Sequence, residues 1–224
     1  MGRRTKNILR TTCALLSVVA VTVLVPASGL AGERIASLGN SATQPQMPAY
    51  AAVGEPTRAP IGWVEFCIEY KRDCDGRPTA PRDVVLTSKA WSDLVKVNAW
   101  VNDTIHPITD QEHWGVVERW NYPDDGRGDC EDYVLLKRRM LMQAGWPREA
   151  LLVTVVRDKK GDGHAVLTVK TNRGEFVLDN QESEVLAWNR TGYRFVKRQS
   201  QHDQNMWVSL GEPVRAMPAT ASAR

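Results

Sequence analysis

Gly128-Asp129-Cys130-Glu131-Asp132-Tyr133-Val134-Leu135-Leu136-Lys137-Arg138-Arg139-Met140-Leu141-Met142-Gln143-Ala144-Gly145-Trp146-Pro147 is the stretch on which the reading of the chain turns. Its boundary signals agree on one helix. Asp129 is a favoured N-cap residue, Glu131 and Asp132 fall in the electropositive first turn, basic residues follow, and Gly145 with Pro147 stops it. With Asp129 as cap, Cys130 takes the first helical position, where backbone N–H groups and the helix dipole favour a thiolate. The thiolate is the nucleophile, so the position suits catalysis. Most free cysteines are instead small buried hydrophobes, but the acidic neighbours of Cys130 make this turn polar and argue for exposure.

Downstream the hydrophobic period changes to two. Residues 151–157, 164–170 and 175–179 read as short strands separated by turn-forming residues 158–163 and 171–174, and 193–198 and 206–210 complete an antiparallel sheet. Helices followed by a meander of strands predict an α+β domain. If 171–174 forms a hairpin loop, Lys170 pairs with Glu175 and Asp179 falls opposite Val166, two residues from His164 on the same face. Such diagonal neighbours lie about 7 to 8 Å apart, within reach for an imidazole and a carboxylate. A thiol needs a base and the base needs an orienting acid, so Cys130, His164 and Asp179 are the candidate catalytic set. A lone strand histidine is more often partly buried packing; the hairpin register sets this one apart.

Upstream, Leu94, Val95, Val97, Ala99, Trp100 and Val101 recur at helical spacing and predict a helix over 92–102 that ends before His106-Pro107. Residues 32–60, rich in Ala, Gly, Ser and Pro, read as a flexible lead-in, and 213–224 as a disordered tail. The 224 residues thus hold one domain, over 61–212. Residues 1–31 differ in kind. Arg3, Arg4, Lys6 and Arg10 precede an apolar run over 11–25, and small residues follow up to Ala31. That order is a secretory signal peptide, cleaved after Ala31 or after Gly29. An uncleaved anchor is the alternative, but the run is shorter than the ~20 apolar residues that span a bilayer. Periplasmic or secreted localisation follows, with no stable membrane insertion after cleavage.

Four of the 29 basic residues and none of the 26 acidic ones lie in the signal segment, which leaves 25 against 26 and a net charge of −1. The basic balance belongs to the targeting segment, so no nucleic-acid partner is indicated. Removal of Cys13 with that segment leaves Cys67, Cys74 and Cys130, and an odd number in an oxidising compartment leaves one thiol free. Cys67 and Cys74 flank a short polar segment, and a local disulfide is the simplest pairing. A metal site is the competing reading, but no Cys-x-x-Cys or His-x-x-x-His completes a ligand set.

The blocks Gly128-Asp129-Cys130-Glu131-Asp132-Tyr133, Gly163-His164-Ala165-Val166-Leu167 and Leu178-Asp179-Asn180-Gln181 resemble the signature of the bacterial transglutaminase-like cysteine proteinases. Upstream Trp114-Gly115, Trp120 and Pro123 resemble that family's run-in to the cysteine, so the resemblance spans residues 98–181. It implies a papain/transglutaminase-like fold, with the nucleophile at a helix N-terminus packed on an antiparallel sheet. It also implies a papain-like mechanism on a protein or peptide substrate, and Trp120 is either a wall of the acyl site or an ordinary core tryptophan. The LapG-type periplasmic members of the family imply more: calcium held by the acidic residues beside the cysteine, here Asp129, Glu131 and Asp132, a surface adhesin as substrate, and an inhibitory membrane receptor. No other cofactor is implied. The Cys67–Cys74 segment is a departure from the adhesin-cleaving members. Two further readings stand beside peptide hydrolysis: transfer of the same acyl group to an amine, and a non-catalytic binding module of the same fold.

Overall fold

The computed structural model describes residues 49–211, so the expectations for the signal peptide, for most of the lead-in and for the tail lie outside the described residues. In chain order the elements are β1 (Val53–Thr57), α1 (Ile61–Glu69), α2 (Lys71–Cys74), α3 (Ser88–Thr104), β2 (His106–Pro107), α4 (Asp110–His113), β3 (Arg127–Gly128), α5 (Cys130–Gln143), β4 (Leu151–Arg157), β5 (Gly163–Thr171), β6 (Gly174–Leu178), β7 (Leu186–Ala187), β8 (Arg194–Gln199) and β9 (Trp207–Leu210). The long strands and the two long helices fall where the sequence pattern predicts them. Helix α3 starts four residues before the expected 92–102, because the Thr87 hydroxyl accepts the Ala90 N–H and caps it there, and it runs on to Thr104 at its other end.

The large sheet has seven strands in the order β1-β9-β8-β4-β5-β6-β7, with every pairing antiparallel. Its central strands β4 and β5 are buried on both faces, which explains their nearly unbroken apolar sequence. On one face Leu151, Val153, Leu167, Val169 and Leu178 pack with Val134, Leu135 and Leu141 of α5 and with Trp63, Phe66 and Leu94. On the other face Val156, Val166, Val177, Trp188, Phe195 and Leu210 form a second cluster. Helix α3 joins α5 through Val101, Ile105, Tyr133 and Leu136. The core thus clamps the start of α5 against the start of β5.

Residues 53–57 correct the lead-in reading. They form an edge strand on β9, and Gly54 and Pro56 hid it, being residues that suit only an edge or a bulge. The expected hairpin register holds: Lys170 pairs with Glu175 and Leu167 with Leu178. Its loop is tighter than expected, since Thr171 pairs with Gly174. Gly174 has φ +120°, and a Cβ there would lie 2.9 Å from the Ala49 carbonyl oxygen, so a side chain is excluded. Behind this turn the buried Glu175 carboxylate is paired with Lys170 at 3.0 Å and Arg198 at 2.7 Å, and it also accepts the Ala51 N–H. Cys67 and Cys74 form a disulfide that ties the end of α1 to α2.

Candidate active site

Cys130 opens α5, half-buried, and lines a cleft of about 310 Å³ with His164, Trp120, Pro60, Glu118 and Lys197. Trp120 belongs to both environments foreseen for it. Its ring forms part of the cleft wall, yet it is 4% exposed and meets Trp63 edge-on. His164 is the second residue of β5, opposite Val156 of β4, and Asp179 follows β6 directly. The hairpin register brings the pair together: His164 Nε2 lies 2.8 Å from Asp179 Oδ1, with both side chains 2% exposed.

Asp179 is held from several directions. Oδ1 also accepts the Gln181 N–H at 2.9 Å, and Oδ2 accepts the Tyr193 hydroxyl at 2.6 Å. Helix α3 fixes its backbone: the Asp179 N–H donates to Asn98 Oδ1, and its carbonyl accepts from Asn102 Nδ2 at 2.8 Å. Burial alone would raise the carboxyl's pKa. The hydrogen bond and charge of His164, with the Tyr193 and Gln181 donors, outweigh burial and hold it below its ordinary value.

The cysteine end departs from expectation. Asp129 has the extended backbone of an N-cap, but its carboxylate makes no capping hydrogen bond. It turns instead toward Asp110 and Glu131, and one oxygen from each of the three residues lies within 4.8 Å of the others. Asp129 Oδ1 and Glu131 Oε1 are buried without a hydrogen-bond partner. The other Glu131 oxygen accepts the Cys130 thiol at 3.0 Å. Burial and the adjacent Glu131 carboxylate therefore push the thiol pKa up, against the downward pull expected from the helix terminus.

Asp132 corrects the expected metal set. Its Oδ1 accepts the Asn121 N–H at 2.9 Å, and it stands outside the cluster, where Asp110 takes its place. The reason is topological. A two-residue parallel ladder pairs His106 with Arg127 and Pro107 with Gly128, and the Ile108 N–H donates to the Gly128 carbonyl. The ladder carries the start of α4, and with it Asp110, to the side of Asp129. Thr109 and Glu112 form a capping box that fixes α4 there. Burial followed by the Asp110 charge raises Asp129 to about 6, and burial followed by the Asp129 charge raises Glu131 well above its usual value. Burial is also the main cause that raises Asp132 to about 8. Two unit charges about 5 Å apart repel by roughly 3 kcal/mol at an effective dielectric near 20. Three carboxylates in this space therefore call for protons or a cation, and an all-oxygen donor set with two orphaned oxygens fits a hard divalent cation.

Sequence reasoning missed Asp110, Tyr193, Asn98 and Asn102. The Thr109-x-x-Glu112 capping signature marked α4, but nothing local marked its neighbour in space.

A family described as bacterial transglutaminase-like cysteine proteinase BTLCP matches residues 53–215. No curated protein matches the chain. Among solved structures, calcium-bound Legionella pneumophila LapG is 26% identical, with 57% of this chain and 74% of that one covered at a TM-score of 0.46. Another structure of Legionella pneumophila LapG is 26% identical over 52% and 67% of the two chains, with a TM-score of 0.43. The EGTA-treated protein is 24% identical over 54% and 70%, with a TM-score of 0.45.

Proposed function

The chain belongs to the bacterial transglutaminase-like cysteine proteinase family, and from that premise we propose that it is an exported thiol peptidase whose catalytic set is Cys130, His164 and Asp179. The observation that carries this reading is the 2.8 Å His164–Asp179 hydrogen bond at the rim of a cleft that also contains the free cysteine. Because Nε2 is tied to Asp179, Nδ1 is the ring nitrogen left for the thiol. Sγ forms a bond to the scissile carbonyl carbon while its proton passes to Nδ1. The tetrahedral intermediate then collapses, the C–N bond breaks, and His164 returns the proton to the departing amine. Water attacks the resulting thioester with His164 as base, and cleavage of the C–S bond releases the acid and restores the thiol. The Cys130 backbone N–H, an unpaired donor of the first turn, supplies a hydrogen bond to the oxyanion.

Asp110, Asp129 and Glu131 would hold a calcium ion, which when bound supplies positive charge beside the carboxylate that suppresses the thiol. Export is supported by the charged, apolar and small-residue order of residues 1–31 and by the disulfide. Among the described residues no helix is long and apolar enough to cross a membrane. The substrate is a protein, and the concrete form of the reaction is limited proteolysis of a cell-envelope protein, with a surface adhesin as the version that the family resemblance favours. An inhibitory membrane receptor is the matching restraint.

Incubation of the mature protein with an activity-based thiol probe tests the chemistry, with Cys130-dependent labelling as the expected result. Absence of such labelling both with and without calcium overturns the reading. Comparison of shed and envelope proteins from cells carrying the wild type or Cys130→Ala then identifies the substrate.

A further inference from the structure

Tyr193 lies between the sheet's second face and solvent, half-buried, just before β8. Two polar features of its turn fix its course. The Thr191 hydroxyl donates to the Trp188 carbonyl at 2.9 Å and accepts the Tyr193 N–H at 3.2 Å. Gly192 supplies the positive φ of +76° that turns the chain between them. The phenol is thereby aimed at Asp179, and its hydroxyl reaches Oδ2 at 2.6 Å. The ring stands nearly perpendicular to the imidazole, with centroids 5.8 Å apart and an interplanar angle of 85°. One side chain thus touches both the acid and the base.

The two carboxylate oxygens have separate tasks. Oδ1 receives His164 and the Gln181 N–H, while Oδ2 receives the phenol. Rotation about Cβ–Cγ would exchange the oxygens, and a donor on each side of the carboxylate opposes that rotation. The edge-on ring likewise opposes rotation of the imidazole out of the plane it shares with Oδ1. A phenylalanine would fill the same space, so packing alone does not account for the hydroxyl.

We infer that Tyr193 is a positioning residue of the catalytic set, which fixes the Asp179 carboxylate and the His164 ring so that Nδ1 faces Cys130. The inference rests on the triad reading given above. Other charged groups act on this pair from the surrounding elements: Lys137 of α5, buried with its Nζ over the Tyr133 ring and without a hydrogen-bond partner, and Asp158, Lys159 and Glu182 around the phenol. Lys159 also pairs with Glu182 at 2.5 Å and so closes the outer side of the phenol. Burial first, then the hydrogen bond and charge of Asp179, with Glu182 and Asp158 adding to them, oppose ionisation of the phenol, which keeps it a donor.

The test is the single-turnover acylation of Cys130 by p-nitrophenyl acetate across pH, in the mature wild type, Cys130→Ala and Tyr193→Phe. A hydrogen bond to a charged group is worth about 1.5 to 3 kcal/mol, so Tyr193→Phe should acylate roughly ten- to a hundredfold more slowly. The loss should fall on the acylation rate and leave the half-saturating ester concentration unchanged. Loss of the phenol donor makes Asp179 easier to protonate, so the acid limb of the profile should also move to higher pH. A merely structural role would leave that limb in place. If Tyr193→Phe fails to fold, 2,3-difluorotyrosine at position 193 keeps the shape and strengthens the donor, and the acid limb should then move to lower pH.

A Tyr193→Phe protein, or in its absence the fluorinated one, with the wild-type rate and profile overturns this inference while Cys130→Ala inactivity leaves the triad standing. Acylation that survives in Cys130→Ala overturns the triad reading, and this inference with it.

Discussion

Asp179 and Glu131 are both buried carboxyls, one hydrogen-bonded to His164 and the other to Cys130, yet their surroundings act in opposite directions. Asp179 receives an imidazole, a phenol and a backbone N–H, and these donors lower its pKa in spite of burial. Glu131 receives the Cys130 thiol, keeps Oε1 without a partner beside Asp129, and is raised. Burial alone therefore does not set the charge of a carboxyl in this fold; the supply of donors and cations does. The histidine end is completed by groups of the chain itself, from α3, β5 and the turn before β8. The cysteine end is short of positive charge.

The comparison breaks first at Asp179. Asp179→Asn puts an amide where the imidazole needs an anion, and acylation of Cys130 should fall by roughly a thousand- to ten-thousandfold, the scale seen when the acid of such a triad is neutralised. A pre-steady-state burst of near wild-type rate would show that the completed end is structural only. Calcium gives the next largest effect. Binding to the folded state alone at a hundred times its dissociation constant adds about 2.7 kcal/mol, so calcium chloride should raise the melting midpoint by several degrees and EGTA should reverse the rise. Asp110→Ala should abolish the response. Asp132→Ala should lower the midpoint, since it leaves the buried Asn121 N–H without its acceptor, but keep the calcium response. A response lost in both variants or in neither would undo the division between the two acids.

How far the sequence foretold each end follows the same line. Cys130 was readable from the signals that bound α5, and the His164–Asp179 pair from counting across one hairpin, because both are local in sequence. Asp110 was not. It reaches Asp129 through the two-residue ladder of β2 and β3, a contact that carries no periodic signal. Asn98, Asn102 and Tyr193 were hidden for the same reason, since each meets Asp179 across a tertiary contact that leaves no mark in the sequence, even though the helix carrying the two asparagines was itself legible. Asp129 shows a local rule overruled. Its backbone takes the cap conformation, but its side chain follows the acid cluster and leaves the helix terminus. The edge strand β1 was masked by composition, and the Cys67–Cys74 disulfide was legible from the odd thiol count together with the short segment that separates the two cysteines.

The smallest effect sharpens the comparison most directly, because the two carboxyls should make stability depend on pH with opposite signs. A carboxyl whose folded pKa lies below its unfolded value contributes stability that is present above the unfolded value, about 3.9 for Asp, and is lost as pH falls through the folded one. Asp179 is such a group, so wild-type protein should lose part of its stability on acidification below about pH 4, and Asp179→Asn should lose less. A carboxyl whose folded pKa is raised contributes stability that is fully present below the unfolded value, about 4.3 for Glu, and is lost as pH rises through the folded one. Glu131 is of this kind, so calcium-free protein should weaken as pH rises from about 4, and Glu131→Gln should flatten that slope. Urea midpoints measured in EGTA across pH for the three proteins separate the two effects. Changes of slope with the same sign in the two variants, each taken against wild type, would show that the donors around Asp179 do not overcome its burial.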